Sequence, residues 1–184
     1  MKIYKIELEV DRFKSLLPQD DSVNDRRLLA LDGSSKKAEW TTPIAAEFDN
    51  DKALVPQIFS FGAGNLLIWS ESRKLLGPRL EAYCELLPVF WGGGDGALVN
   101  VLGLSPCLDE KESTWLVHQG SGKRLFIEQY SFIKEAVPRR LLFKIEAQPF
   151  GIFCADHEDG SENLLGLVRE HRLFGLAFKQ VWQG

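Results

Sequence analysis

Two pairs of apolar, strand-like runs, each pair joined by a short glycine-rich connection, constrain this chain more than any other feature. Glu85–Trp91 and Ala97–Gly103 flank Gly92-Gly93-Gly94-Asp95-Gly96, and Thr114–Gln119 and Lys123–Phe132 flank Gly120-Ser121-Gly122. A parallel neighbour needs a crossover of a dozen or more residues, so connections this short can only join antiparallel strands. A mostly antiparallel sheet containing residues 85–91, 97–103 and 123–132 is therefore expected.

Further strand patterns surround this centre. Residues 2–10 place Tyr4, Ile6, Leu8 and Val10 on one face and Lys5, Glu7 and Glu9 on the other, the period of a half-buried strand. Arg26–Leu31 reads as a short strand ending at the Asp32-Gly33 turn, Asn65–Trp69 as an apolar strand, and Arg139–Glu146, Phe150–Cys154 and Leu173–Val181 as three more, with Pro149 separating the first two. Residues 34–64 hold prolines at 43 and 56 and no sustained period, and are expected as loops with brief extended pieces. A helix capped by Ser70 is expected to break at Gly77-Pro78, with a second short piece from Pro78 to Tyr83. Leu164, Leu165, Leu167, Val168 and His171 recur at helical spacing and predict a helix over 161–172. Strands outnumber helices without regular alternation, so the class is α+β, a mostly antiparallel sheet with a few short helices. No internal repeat or linker divides residues 1–184, which we read as one domain.

With 45% apolar and 26% charged residues, the chain has the composition of a folded globular protein. Its net charge of −4 argues against direct nucleic-acid binding, whose affinity comes mainly from cations placed on phosphates. No apolar run approaches a membrane span, and the alternating N-terminus lacks a secretory apolar stretch, so a cytoplasmic protein with no membrane partner is expected. Cys84, Cys107 and Cys154 are too sparse for a disulfide framework or a paired-cysteine metal site, and they read as core thiols.

The familiar catalytic and cofactor signatures fail on particular residues. Gly120-Ser121-Gly122-Lys123 lacks the earlier glycine of a phosphate loop, where Val117 stands, and the hydroxyl after the lysine, where Arg124 stands. His118, His157 and His171 form no metal-binding pair, although His157 sits within Asp156-His157-Glu158-Asp159. No metal or cofactor is expected. What remains is charge and aromatic surface. Acidic residues gather at Asp20, Asp21 and Asp25; at Glu47, Asp49 and Asp51; at Asp109, Glu110 and Glu112; and at Asp156, Glu158, Asp159 and Glu162. Such loops can steer a basic partner. Between Lys123 and Lys144 six basic residues stand against Glu128 and Glu135, a local excess of the opposite sign. Of five tryptophans, Trp40, beside Glu39, Thr41 and Thr42 in the irregular segment, is the expected exposed anchor for a partner.

A series of short strings runs in fixed order along the chain: Leu66-Leu67-Ile68-Trp69-Ser70-Glu71-Ser72, Glu85-Leu86-Leu87-Pro88-Val89, Leu98-Val99-Asn100-Val101, Leu108-Asp109-Glu110-Lys111-Glu112-Ser113, Phe143-Lys144-Ile145 and Gly175-Leu176-Ala177-Phe178-Lys179-Gln180-Val181-Trp182. From about Lys2 to Trp182 this order resembles an immunity-protein family of bacterial polymorphic toxin systems, named after a myxobacterial member and formerly a domain of unknown function. The resemblance implies a non-enzymatic protein that neutralises a cognate toxin domain by stoichiometric binding, and supplies no catalytic residues. The acidic balance favours a basic toxin such as a nuclease, met by Trp40, Glu47, Asp49, Asp51, Asp109, Glu110 and Glu112. Two other readings stand beside it: a small enzyme assembled from His118, His157, Asp156 and Cys154, and a homo-oligomeric binding module.

Overall fold

The computed structural model describes residues 1–20, 28–62, 64–157 and 163–184. Its elements in chain order are β1 (Lys2–Leu8), β2 (Leu16–Pro18), β3 (Ile44–Phe48), β4 (Ile58–Phe61), β5 (Asn65–Trp69), α1 (Ser70–Leu80), β6 (Cys84–Trp91), β7 (Gly94–Val101), β8 (Thr114–Val117), β9 (Arg124–Gln129), β10 (Phe143–Ile145), β11 (Gln148–Asp156), α2 (Leu164–Glu170) and β12 (Leu176–Gln183). The class is α+β with mostly antiparallel pairing. Residues 28–31 form no strand, and Asp21, Asp25, Arg26, Glu158, Asp159 and Glu162 lie outside the described residues.

Six strands close into a barrel in the order β2-β3-β6-β7-β5-β4, returning to β2. Closure depends on two parallel contacts, β3 on β6 and β2 on β4, between pieces only three to five residues long on the β2, β3 and β4 sides. The β6–β7 ladder runs from Cys84↔Val101 to Trp91↔Gly94, so the turn is the tight Gly92-Gly93 pair and Gly94 to Gly96 belong to the strand. Leu16, Ile44, Ala46, Phe59, Phe61, Leu67, Leu87, Val89 and Leu98 pack into one apolar cluster that fills the interior. A barrel of eight strands is only just wide enough for its own side chains, and six leave less room still.

The outer wall of β4, β5 and β7 is buried as well. Ile58, Leu66, Ile68, Ala97 and Val99 pack with Leu76 and Leu80 of α1, Leu164 and Val168 of α2, and Ile6, Cys154 and Leu176 of a second sheet ordered β10-β11-β1-β12. Burial of both faces explains why Leu66-Leu67-Ile68 is a continuous apolar run rather than an alternating one. The far side of the second sheet carries a third cluster, in which Ile3, Phe143, Ile145 and Phe153 meet Cys107, Leu108, Ile127 and Phe132. Strand β1 thus separates two cores, with Ile6 in one and Ile3 in the other, and its ladder to β12 is interrupted between Ile3 and Tyr4. Hairpin β8–β9 stands apart as a two-stranded sheet, so residues 123–132 do not join 85–103 as the sequence suggested.

Helix α1 passes through Pro78 without the expected break. Gly77 has no Cβ to collide with the proline ring, and the Glu81 amide still reaches the Gly77 carbonyl at 3.1 Å. The expected cap at Ser70 is also corrected. Ser70 is the first helical residue, with φ of 49°, and the serine that serves the helix start is Ser72, whose Oγ accepts from the Trp69 amide at 3.0 Å. Helix α2 is shorter than expected and is capped by Asn163, which accepts from the Gly166 amide at 2.9 Å.

Polar groups, some of them buried, close one end of the barrel and join it to the second sheet. At the end opposite Trp91, the Glu85 carboxylate accepts from Ser35 Oγ, the Lys36 amide at 2.8 Å and Asn100 Nδ2 at 2.9 Å. Burial raises the Glu85 carboxyl, but these donors outweigh it and hold the group below its ordinary value. Lys144, only 2% exposed, donates its Nζ to the Leu31 and Pro149 carbonyls and so ties the loop beneath the barrel to β10 and β11.

Candidate partner-binding face

Five of the large apolar side chains that remain exposed belong to three adjoining segments: Val10, Phe48, Leu54, Val55 and Phe174. Specific contacts hold the segments together. The Lys14 amide donates to Leu54 O at 2.9 Å, and Phe13 stacks on Phe174 with centroids 6.3 Å apart. The Ile58 amide donates to Phe174 O at 3.1 Å. Asn50 Nδ2 donates to Ser15 Oγ at 2.8 Å, Ser15 Oγ to Asp49 Oδ2 at 3.1 Å, and the Asp49 amide to Ser15 O at 3.0 Å. The acidic loop after β3 is therefore held on segment 13–15.

Behind this face stands a packed aromatic floor. Phe48 lies 6.3 Å from Phe59, which contacts Trp69 at 5.8 Å and Trp91 at 5.6 Å between ring centroids. Phe48 is inward-facing at the barrel mouth yet 41% exposed, and the Lys14 ammonium sits 4.3 Å above its ring. Apolar surface fixed on such a floor loses little side-chain entropy when covered, which suits recognition.

Glu47, Asp49 and Asp51 are exposed here, and Glu47 and Asp49 flank Phe48 in the chain; Glu47 belongs to strand β3 rather than to the loop the sequence suggested. Trp40 is a correction. It is 8% exposed, packs with the barrel interior and donates its Nε1 to Pro88 O at 3.0 Å, so it closes the barrel instead of offering an anchor. Its polar neighbours Glu39, Thr41 and Thr42 are exposed, but they do not decide where a side chain points from an irregular segment. Phe48 was the residue to notice, an aromatic set between Glu47 and Asp49. Val10 and Phe174 join the face only through tertiary packing.

Asp109, Glu110 and Glu112 occupy a different place. Asp109 Oδ1 accepts from the Lys111 and Glu112 amides at 3.1 and 3.2 Å, and Glu110 pairs with Arg124 at 2.6 Å. Arg124 also lies 4.6 Å over the Trp115 ring. The cluster adjoins hairpin β8–β9, where Val117, Leu125 and Phe126 are exposed. The basic excess between Lys123 and Lys144 does not form one patch, because Lys144 is buried, Arg124 is paired and Arg140 covers the Tyr83 ring at 5.4 Å.

The residues considered for an enzyme are engaged in local structure. His118 Nδ1 accepts from the Ser121 amide at 3.2 Å in the β8–β9 turn, and His157 lies 3.3 Å from Pro138 O. Asp156 accepts from Asn163 at 2.8 Å. All three thiols are buried, and burial pushes Cys84 and Cys154 up to about 12. Ellman's reagent should leave all three unmodified in the native protein and titrate them on unfolding. Rapid native labelling of any one would contradict this placement. Among the described residues no group of three or more His, Cys, Asp or Glu is placed to hold a metal, and no helix is long and apolar enough to cross a membrane. No protein-family model matches the sequence, and no curated protein matches it.

Proposed function

We propose that this chain is a cytoplasmic immunity protein that neutralises a cognate toxin domain by stoichiometric binding, without catalysis of its own. The observation that carries the proposal is the face formed by Val10, Phe48, Leu54, Val55 and Phe174, bordered by Glu47, Asp49 and Asp51. The ordered signatures resembling an immunity family support the same reading. Apolar side chains at the centre supply contact area, while the acidic border favours approach of a basic toxin such as a nuclease.

The test is to co-express this chain with a toxin domain encoded beside its gene, and to measure survival and complex formation. Protection with a one-to-one complex is the expected outcome; a toxin that is neither bound nor blocked ends the proposal. Within a working complex, Phe48→Ser with Leu54→Ser should speed dissociation by about 100-fold, the scale of losing a central apolar contact. Glu47→Lys with Asp51→Lys should instead slow association about tenfold at low salt and flatten its salt dependence.

A further inference from the structure

We propose that the cleft between the diverging ends of β1 and β11 is a docking groove for an extended peptide that carries apolar side chains and an acidic group. The ladder between these strands runs from Lys2↔Asp156 to Lys5↔Phe153 and ends there. Strand β1 continues through Ile6, Glu7 and Leu8 with β12 still paired on its other side, and β11 holds residues 148–152 beyond the ladder. The strands separate around a cavity of about 420 Å³.

Its walls suit an added strand. Ile6, Leu8, Leu66, Phe150 and Ile152 give it an apolar lining, and Phe150 is 67% exposed, the most of any large apolar side chain among the described residues. Where the ladder stops, β1 and β11 no longer pair with each other; the Leu8 carbonyl is taken by the Val10 amide and the Pro149 carbonyl by Lys144, so an extended peptide would pair at Ile6 on one side and at Gly151–Ile152 on the other. Three residues of strand, about 10 Å, span the stretch over which Ile6–Leu8 run without β11.

Charge selects among such peptides. Lys5 is the one charged side chain in the lining, and it stands directly across from Lys179 in the β1–β12 ladder. Like charges placed opposite each other are unfavourable, so a carboxylate in the groove would relieve that repulsion. This chemistry is opposite in sign to that proposed for the toxin-binding face, and the groove does not depend on that reading.

The probe is the acetylated and amidated tetrapeptide Val-Ile-Val-Glu, titrated into the full ¹⁵N-labelled chain. Expected are amide shifts and slowed hydrogen exchange at Ile6–Leu8 and Gly151–Ile152. Binding should weaken about tenfold with the exposed variant Phe150→Ser. It should weaken about threefold with Lys5→Gln, and by no more than that when Lys5→Gln meets a peptide ending in Gln, because the two changes remove one interaction. Absence of shifts at millimolar peptide, or shifts confined to other residues, would overturn the proposal. So would decanoate giving the same shifts and displacing the peptide without protecting the edge amides, since the groove would then be a site for small apolar carboxylates.

Discussion

Replacing Gly175 by alanine should cost about 4 kcal/mol or more and leave little folded protein at 37 °C, the range reached when backbone strain and overpacking coincide. Gly175 has φ of 112°, a conformation that side chains disfavour, and a methyl group there would land on the Ile58 carbonyl oxygen with Pro56 Cβ 3.0 Å away. Neither neighbour yields easily, because the Ile58 amide is held by Phe174 O at 3.1 Å and Pro56 O accepts from Trp69 Nε1 at 2.8 Å. The turn joins the second sheet to barrel strand β4. Gly64, with φ of 93° and open space around its absent side chain, is the control. Gly64→Ala should cost only about 1–2 kcal/mol, from conformation alone. Equal losses for the two variants, measured by urea unfolding, would show that the contact at Ile58 is unimportant.

The second large effect concerns the buried Lys144. Burial lowers this amine from 10.5 to about 8, against weaker upward pulls from Asp32 and Cys84. Between those two values the unfolded chain binds more protons than the folded one, so this residue makes stability rise with pH across the window, by about 3 kcal/mol in all. Below about pH 8 its contribution is flat. Cys84 and Cys154 act in the opposite direction: their folded values of about 12 lie above the ordinary 9, so their contribution falls as pH rises above 9. The two effects separate by subtraction. Lys144→Met should remove the rise between pH 8 and 9 and expose the decline above it, whereas parallel pH profiles for parent and variant would refute the assignment. At pH 7 the variant loses two hydrogen bonds yet also escapes burying a charge, so its net destabilisation should be smaller than the pH effect.

What the sequence revealed follows the distance over which each signal acts. Hairpins β6–β7 and β8–β9 were legible because a short turn and two flanking runs lie within about 20 residues. Barrel closure was not. Strands β2, β3 and β4 are too short to show a period, and the parallel contact Ile44↔Val89 joins residues 45 positions apart, so residues 34–64 looked like loops. The helix break failed for a local reason, since one of the clashes proline makes in a helix is with the Cβ of the preceding residue, and Gly77 has none. At the candidate face, Glu47, Asp49 and Asp51 could be picked out because exposed carboxylates follow from composition and turns. The apolar residues beside them could not, because sequence does not tell an exposed phenylalanine such as Phe48 from a buried one such as Phe59.

The position of β1 between two cores bears on how the chain is made. Its partners Leu176–Gln183 and Phe153–Asp156 lie more than 140 residues downstream, whereas the barrel strands all fall between Leu16 and Val101. During synthesis the barrel can assemble while β1 waits with both edges open, and only β11 and β12, made much later, complete its sheet. Such long-range closure is slow and exposes a strand to wrong partners in the interval. A nascent chain stalled near residue 145, far enough along for Val101 to clear the ribosomal exit tunnel, should therefore hold a protease-resistant barrel preceded by a protease-sensitive strand, and the wait for β12 would set the pace at which the second sheet is completed.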